Sequence, residues 1–178
     1  MAGQERSTTG AGRATVVAVG AGPVNDNGLG PMLTSRATRY LTRPDRTLSL
    51  AAEVWGSWFT PKTLALGAPR GNSLSVRQDA WQVGSQLSGI LNLLPNAAVQ
   101  PYVVAGPVLR FDRGNSAVTE QLAAAAPSTQ RFVSSAVSLD ASFGAGARIR
   151  LGDRHLVLDA RVHAGAAIHF PITVGLTF

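Results

Sequence analysis

Cysteine is absent from the 178 residues, which removes any disulfide framework and any thiolate metal site. No apolar run approaches the roughly 18 residues that a membrane-spanning helix requires, although mean hydropathy is slightly positive at +0.11. Lysine is almost missing as well. Lys62 is the single lysine among 16 cationic residues, and the formal net charge is +6. The arginines are scattered over turns, loops and strand interiors, with no basic helix or stripe, so no nucleic-acid partner is expected. Anionic lipid headgroups are the expected counter-charge. An apolar h-region is also missing from Met1-Ala-Gly-Gln-Glu-Arg-Ser, so no signal peptide is read here; the chain is either the mature form of an exported protein, the reading favoured here, or one that never leaves the cytoplasm.

What is present is alternation. Leu156, Leu158, Ala160 and Val162 are apolar, and His155, Asp159, Arg161 and His163 fall around them. After Pro171, Ile172, Val174, Leu176 and Phe178 share one face, while Thr173, Gly175 and Thr177 share the other. Period two over such lengths predicts strands with one apolar face. Upstream the same pattern is clearest around Leu139 and Phe143, which alternate with Asp140, Ser142 and Gly144. Eight strands are predicted, six of them near 13–22, 32–42, 47–59, 76–93, 98–112 and 133–151. A seventh follows the Gly152-Asp153 turn and an eighth follows Ala164 to Ala167.

Residues 1–12 read as a polar flexible tail, and 13–178 as a single domain. In strand one, Val17 and Val19 alternate with equally apolar Val16 and Ala18, which leaves its facing open. Ala21-Gly-Pro-Val24 recurs as Ala105-Gly-Pro-Val108, consistent with a half-barrel repeat. Connections two, four and six are short. Asn25–Pro31, Thr60–Ser73 and Arg113–Arg131 are longer, the last with a helical turn expected over Gln121–Ala126. Short turns on one rim and longer loops on the other suit a transmembrane barrel, whose half-apolar strands escape a hydropathy scan.

Three segments carry a family resemblance: Pro171-Ile-Thr-Val-Gly-Leu-Thr-Phe178, Leu158-Asp-Ala-Arg-Val-His163 and Gln100-Pro-Tyr-Val-Val-Ala-Gly106. With their order and spacing, the chain resembles the small eight-stranded OmpA-like bacterial outer-membrane barrels over nearly its whole length. The resemblance implies an all-β fold, an eight-stranded antiparallel up-and-down transmembrane β-barrel in the cell outer membrane. It implies a monomer whose partners are outer-membrane lipids and lipopolysaccharide, with the barrel assembly machinery engaged during insertion. It also implies that the closing strand, with Ile172, Val174, Leu176 and Phe178 on its apolar face, is the assembly signal.

A soluble lipocalin-like carrier barrel alternates too, but it turns its apolar face inward and a charged face to water. Here the second face is Gly, Ser, Gln and Thr with a few balanced charges, which suits a narrow lumen that side chains fill. Parity places Arg36, Glu53, Asp140, Arg148, Asp159 and Arg161 on that face, with Arg110, Arg150 and His163 nearer the ends. A turn centred on Pro44-Asp45 sets Arg36 opposite Glu53. Buried charges are costly unless paired, so the six are expected to form an ion-pair network that plugs the lumen. The alternative is a small-solute pore gated by Glu53 and its arginine partners. Trp58, Phe59, Trp81, Phe111, Phe132 and Phe170 towards one rim, and Tyr40, Tyr102 and Phe178 towards the other, are expected to form two interfacial girdles.

Little points to chemistry. His155, His163 and His169 are too spread along extended strands for a metal cluster. The lipid A deacylase pattern, a Ser two residues after a strand His, is not met, because Val157 and Gly165 follow His155 and His163. Val19-Gly-Ala-Gly22 lacks the helix that a phosphate-binding loop needs. No catalytic residue, metal or cofactor is expected, and the reading is of a structural or surface-interaction protein rather than an enzyme.

Overall fold

The structure, a computed structural model, describes residues 14–24, 28–41, 47–67, 72–122, 125–152, 154–165 and 168–177. The 1–12 tail, the Pro44-Asp45 turn centre and Phe178 lie outside the described residues. Nine strand segments run in order: β1 (Ala14–Val24), β2 (Gly28–Tyr40), β3 (Leu48–Gly67), β4 (Ser73–Asn92), β5 (Val99–Gln121), β6 (Ser128–Leu151), β7 (Arg154–Ala164), β8 (Ile168–His169) and β9 (Ile172–Thr177). From β1 to β8 each strand pairs antiparallel with the next, β9 pairs with β7, and β1 pairs with β2 on one side and with β8 and β9 on the other, so the sheet closes on itself. β8 and β9 form one stave, broken at Phe170-Pro171. Proline has no N–H for a ladder, and the Pro171 carbonyl instead accepts from the Arg161 backbone N–H at 3.0 Å. The ring therefore has eight staves.

Alternation sorts the side chains by face. Leu139 is 75% exposed on the exterior while Asp140, beside it, is 4% exposed on the axis. Phe143, Leu158 and Val174 are exposed outward, and Arg148 and Arg161 are buried inward. That is the reverse of a soluble carrier barrel, whose apolar side chains fill the centre. The side-chain facing of strand one falls outside the described residues, but its backbone register is defined. Val16, Ala18 and Gly20 stand opposite Arg36, Thr34 and Met32 on one side and opposite Thr177, Gly175 and Thr173 on the other. All of those partners belong to the axial face.

Three segments expected as loops are strands. β3 continues through Pro61 to Gly67 by a bulge between Phe59 and Lys62. The last β3 residue paired with β2 is Ser57, so Pro61 sits on an edge, where its missing N–H costs no ladder bond. β5 and β6 run on to Gln121 and from Ser128, held by pairs such as the Thr119 and Thr129 hydroxyls, 3.0 Å apart. Gly114-Asn115 imitates a turn in sequence but lies within β5, where the Asn115 amide donates to Asp79 at 2.6 Å. Of the helical turn expected over Gln121–Ala126, Gln121 is still strand, Ala125 N–H donates to the Leu122 carbonyl at 3.1 Å, and residues 123–124 lie outside the described residues.

The girdles need three corrections. Trp58, Trp81, Phe132 and Phe170 are on the exterior, but Phe59 and Tyr102 are buried on the axis, and Tyr40, in step with Arg36, turns inward to accept from Arg148 Nη1 at 3.5 Å. Parity is the reason: Phe59 falls in step with Glu53, and Tyr102 with Arg110.

The exterior band yields a direct test. Leu87→Arg on the outward face of β4 should destabilise the barrel in micelles by about 2–4 kcal/mol, the cost of a cation deep in hydrocarbon. Urea titration of the heat-modifiable folded band on detergent gels measures it. A loss below about 0.5 kcal/mol, ordinary for a watery surface, would contradict an apolar surround.

Candidate functional site: the barrel lumen

β2, β3 and β7 each deliver charge to the axis because their inward positions recur at every second residue. Arg36 and Glu53 are direct register partners. Arg36 Nε donates to Glu53 Oε2 at 2.7 Å, and Arg36 Nη2 donates to Asp159 Oδ2 at 2.6 Å. Arg161 Nε and Nη2 grip the two oxygens of Asp159 at 2.7 and 2.8 Å, and Nη2 also lies 3.0 Å from Glu53 Oε2. Two guanidinium groups thus meet two carboxylates, and the cluster is neutral. Its remaining valences are filled: Thr34 donates to Glu53 Oε1 at 2.8 Å, Tyr102 to Asp159 Oδ2 at 2.8 Å, and Arg161 Nη1 to Gln86 Oε1 at 2.9 Å. All four charged side chains are at most 4% exposed.

Space for these groups comes from glycine across the strand. Arg161 pairs with Gly144 and Tyr102 with Gly146, and a Cβ at either glycine would collide with its partner. Trp55 likewise lies over Gly84, its direct partner on β4. Apolar side chains pack on both sides of the cluster along the axis. Ala51, Ile90, Tyr102, Val104 and Val157 form one group towards the short-turn rim, and Met32, Trp55 and Val108 another towards the loops.

Two of the six predicted lumen charges lie elsewhere. Asp140 is 2.7 Å from Arg110 Nη1, in an ion contact whose angle is not that of a hydrogen bond; Arg110 Nε also bonds Asp112 at 2.9 Å. Arg148 has no carboxylate partner among the described residues. Its Nη1 donates to Asn92 Oδ1 at 2.8 Å, and its guanidinium stands 5.0 Å from the Tyr102 ring centroid, a cation–π contact. The lumen charges therefore fall into three groups, because tilted staves bring residues of similar sequence depth to different heights. Arg150 is exposed at the rim.

Sequence reasoning missed the tyrosine and tryptophan of the lumen, although the parity that placed Glu53 also places Trp55. It also missed that His163 and His169 are register partners across β7 and β8. Among the described residues no group of three or more His, Asp and Glu could hold a metal ion. Of the closing-strand residues, Ile172, Val174 and Leu176 are exposed on the exterior.

The central cluster should respond strongly to loss of one member. Glu53→Gln leaves two buried cations against one carboxylate and should destabilise by about 3–5 kcal/mol. Adding Arg161→Gln restores the charge balance and should recover part of that loss. Urea unfolding of the two single variants and the double variant in micelles measures the coupling, and strict additivity would mean the groups do not interact.

Neither a family model nor a curated protein matches the chain in sequence. Solved structures do match in shape. A major outer membrane protein from Thermus thermophilus is similar with a TM-score of 0.57 and 16% identity, over 93% of this chain and 98% of that one. Ail, the attachment invasion locus protein of Yersinia pestis, is similar with a TM-score of 0.55 and 7% identity, over 93% and 95% of the two chains. With the closed ring and the outward apolar band, these likenesses give the chain its fold: the eight-stranded antiparallel transmembrane β-barrel of small outer-membrane proteins.

Proposed function

We propose that the protein is an integral, monomeric outer-membrane barrel with a structural or surface-interaction role, its lumen plugged by polar side chains, and that it is not an enzyme. The carrying observation is the neutral Arg36–Glu53–Asp159–Arg161 cluster, which joins β2 and β3 to β7 across the axis. An eight-stranded ring is only wide enough for side chains. A cluster with these bonds, and with apolar side chains on either side along the axis, supports a lumen closed to solutes.

The surface role is supported by strand length. A tilted span needs about 9–11 residues, whereas β3 to β6 have 20 to 24. β2 stops pairing with β3 at Ser57, and β7 stops pairing with β6 at Ala141. Beyond those points β3, β4, β5 and β6 continue alone as a four-stranded sheet standing clear of the ring. Such a rigid projection is where a binding role on this scaffold would reside. Membrane lipids surround the exterior band, and the assembly machinery would read the closing strand through outward Ile172, Val174 and Leu176 together with Phe178.

Planar-bilayer recording tests the plug. The wild-type protein and Glu53→Ala should both insert without discrete conductance steps. Steps that appear in the wild type and grow on Glu53→Ala would establish the gated pore instead.

A further inference from the structure

The exterior of β2 to β6 is not evenly filled. Ser35, Gly56 and Ser85 are small outward residues on neighbouring rungs, and they floor a depression of about 760 Å³. Leu33, Val54, Trp58, Val83, Leu109 and Phe111 wall it. Its volume falls within the roughly 300–1,000 Å³ of small-molecule sites. This face of the barrel meets hydrocarbon, so the occupant that fits is an acyl chain.

Register defines what stands at its loop-side end. Trp58 pairs with Trp81, Trp81 with Arg113 and Arg113 with Ser135, which makes Arg113 part of the next outward rung. Trp81 and Phe111 meet there with ring centroids 5.4 Å apart and planes tilted by 44°. Further towards the loops, Arg77 and Arg131 flank Ala117 on one rung of the same face. All three arginines are exposed, and none makes an ion pair among the described residues. Among the described residues Asp79 is the carboxylate on this face, and its Oδ1 accepts from the Asn115 amide at 2.6 Å. The patch above the apolar depression therefore carries a surplus of two positive charges.

We propose that this face binds a phosphorylated, acylated lipid of the outer leaflet, with a chain in the depression and the phosphate on Arg113, backed by Arg77 and Arg131. Guanidinium groups suit this task because their planar fork bonds phosphate oxygens in pairs. The site rests on the outer-membrane reading above and deepens it by naming the lipid chemistry and the residues.

The test uses the full chain refolded in dodecyl maltoside, titrated with diphosphoryl lipid A and followed by native mass spectrometry. Lipid A should bind at least about tenfold more tightly than phosphatidylcholine, and inorganic phosphate should not displace it. Arg113→Gln should weaken lipid A binding about tenfold by removing the phosphate contact. Gly56→Leu should also weaken it, by filling the depression. A Cβ at Gly56 approaches Gln82 O and Val83 Cγ1 no closer than 3.8 Å, so the backbone there accepts a side chain. Each variant is first checked for its heat-modifiable folded band. Equal binding by both variants, equal affinity for phosphatidylcholine, or displacement by phosphate would each overturn the proposal. A protein that stays folded without detergent would instead overturn the membrane reading itself.

Discussion

A ring of eight staves encloses an axis so narrow that side chains alone must fill it. Every long inward group therefore needs a small neighbour across the strand and a partner for its polar atoms. The barrel meets the first demand with glycine: Gly84 beneath Trp55, Gly146 beside Tyr102 and Gly144 beside Arg161. It meets the second with opposed charge. Removing either kind of partner would force a stave outward or strand a charge in a medium that solvates it poorly.

The choice of arginine follows from the same confinement. Arg36 uses one edge of its guanidinium on Glu53 and another on Asp159, joining carboxylates from two staves that are not neighbours. An ammonium is a point charge and lacks that flat fork. The apolar groups on either side of the cluster keep its surroundings poor in water, which strengthens each of its hydrogen bonds and makes each one harder to lose.

Outside, the physics inverts. The exposed leucines, valines and phenylalanines would be an aggregation hazard in water, but in hydrocarbon they are the matching surface. Past the ring the demand changes again. Towards the tips of β3 to β6 strict alternation fades: Ser128 to Val137 of β6 are exposed without regard to parity. This is also why the sequence misplaces those stretches as loops. Without a greasy face to announce it, a solvated hairpin such as Arg113–Gln121 with Ser128–Val137 looks like any polar connection, and Gly114-Asn115 deepens the likeness.

Period two was enough, without coordinates, to distinguish outward Leu139 from inward Asp140 and to count eight staves, because strand geometry links residue parity to face, and a turn centred on Pro44-Asp45 added the register that brings Arg36 opposite Glu53. Parity also contained the burial of Tyr102 and Phe59, although their aromatic character argued for the rim. Which lumen charges meet could not be read that way. Tilt and closure decide it: they carry Asp159 and Arg161 of β7 round to Arg36 and Glu53, send Asp140 to Arg110, and leave Arg148 to Asn92 and a tyrosine face. A single strand records the side a residue faces, but the height at which it meets another stave exists only once the ring has closed.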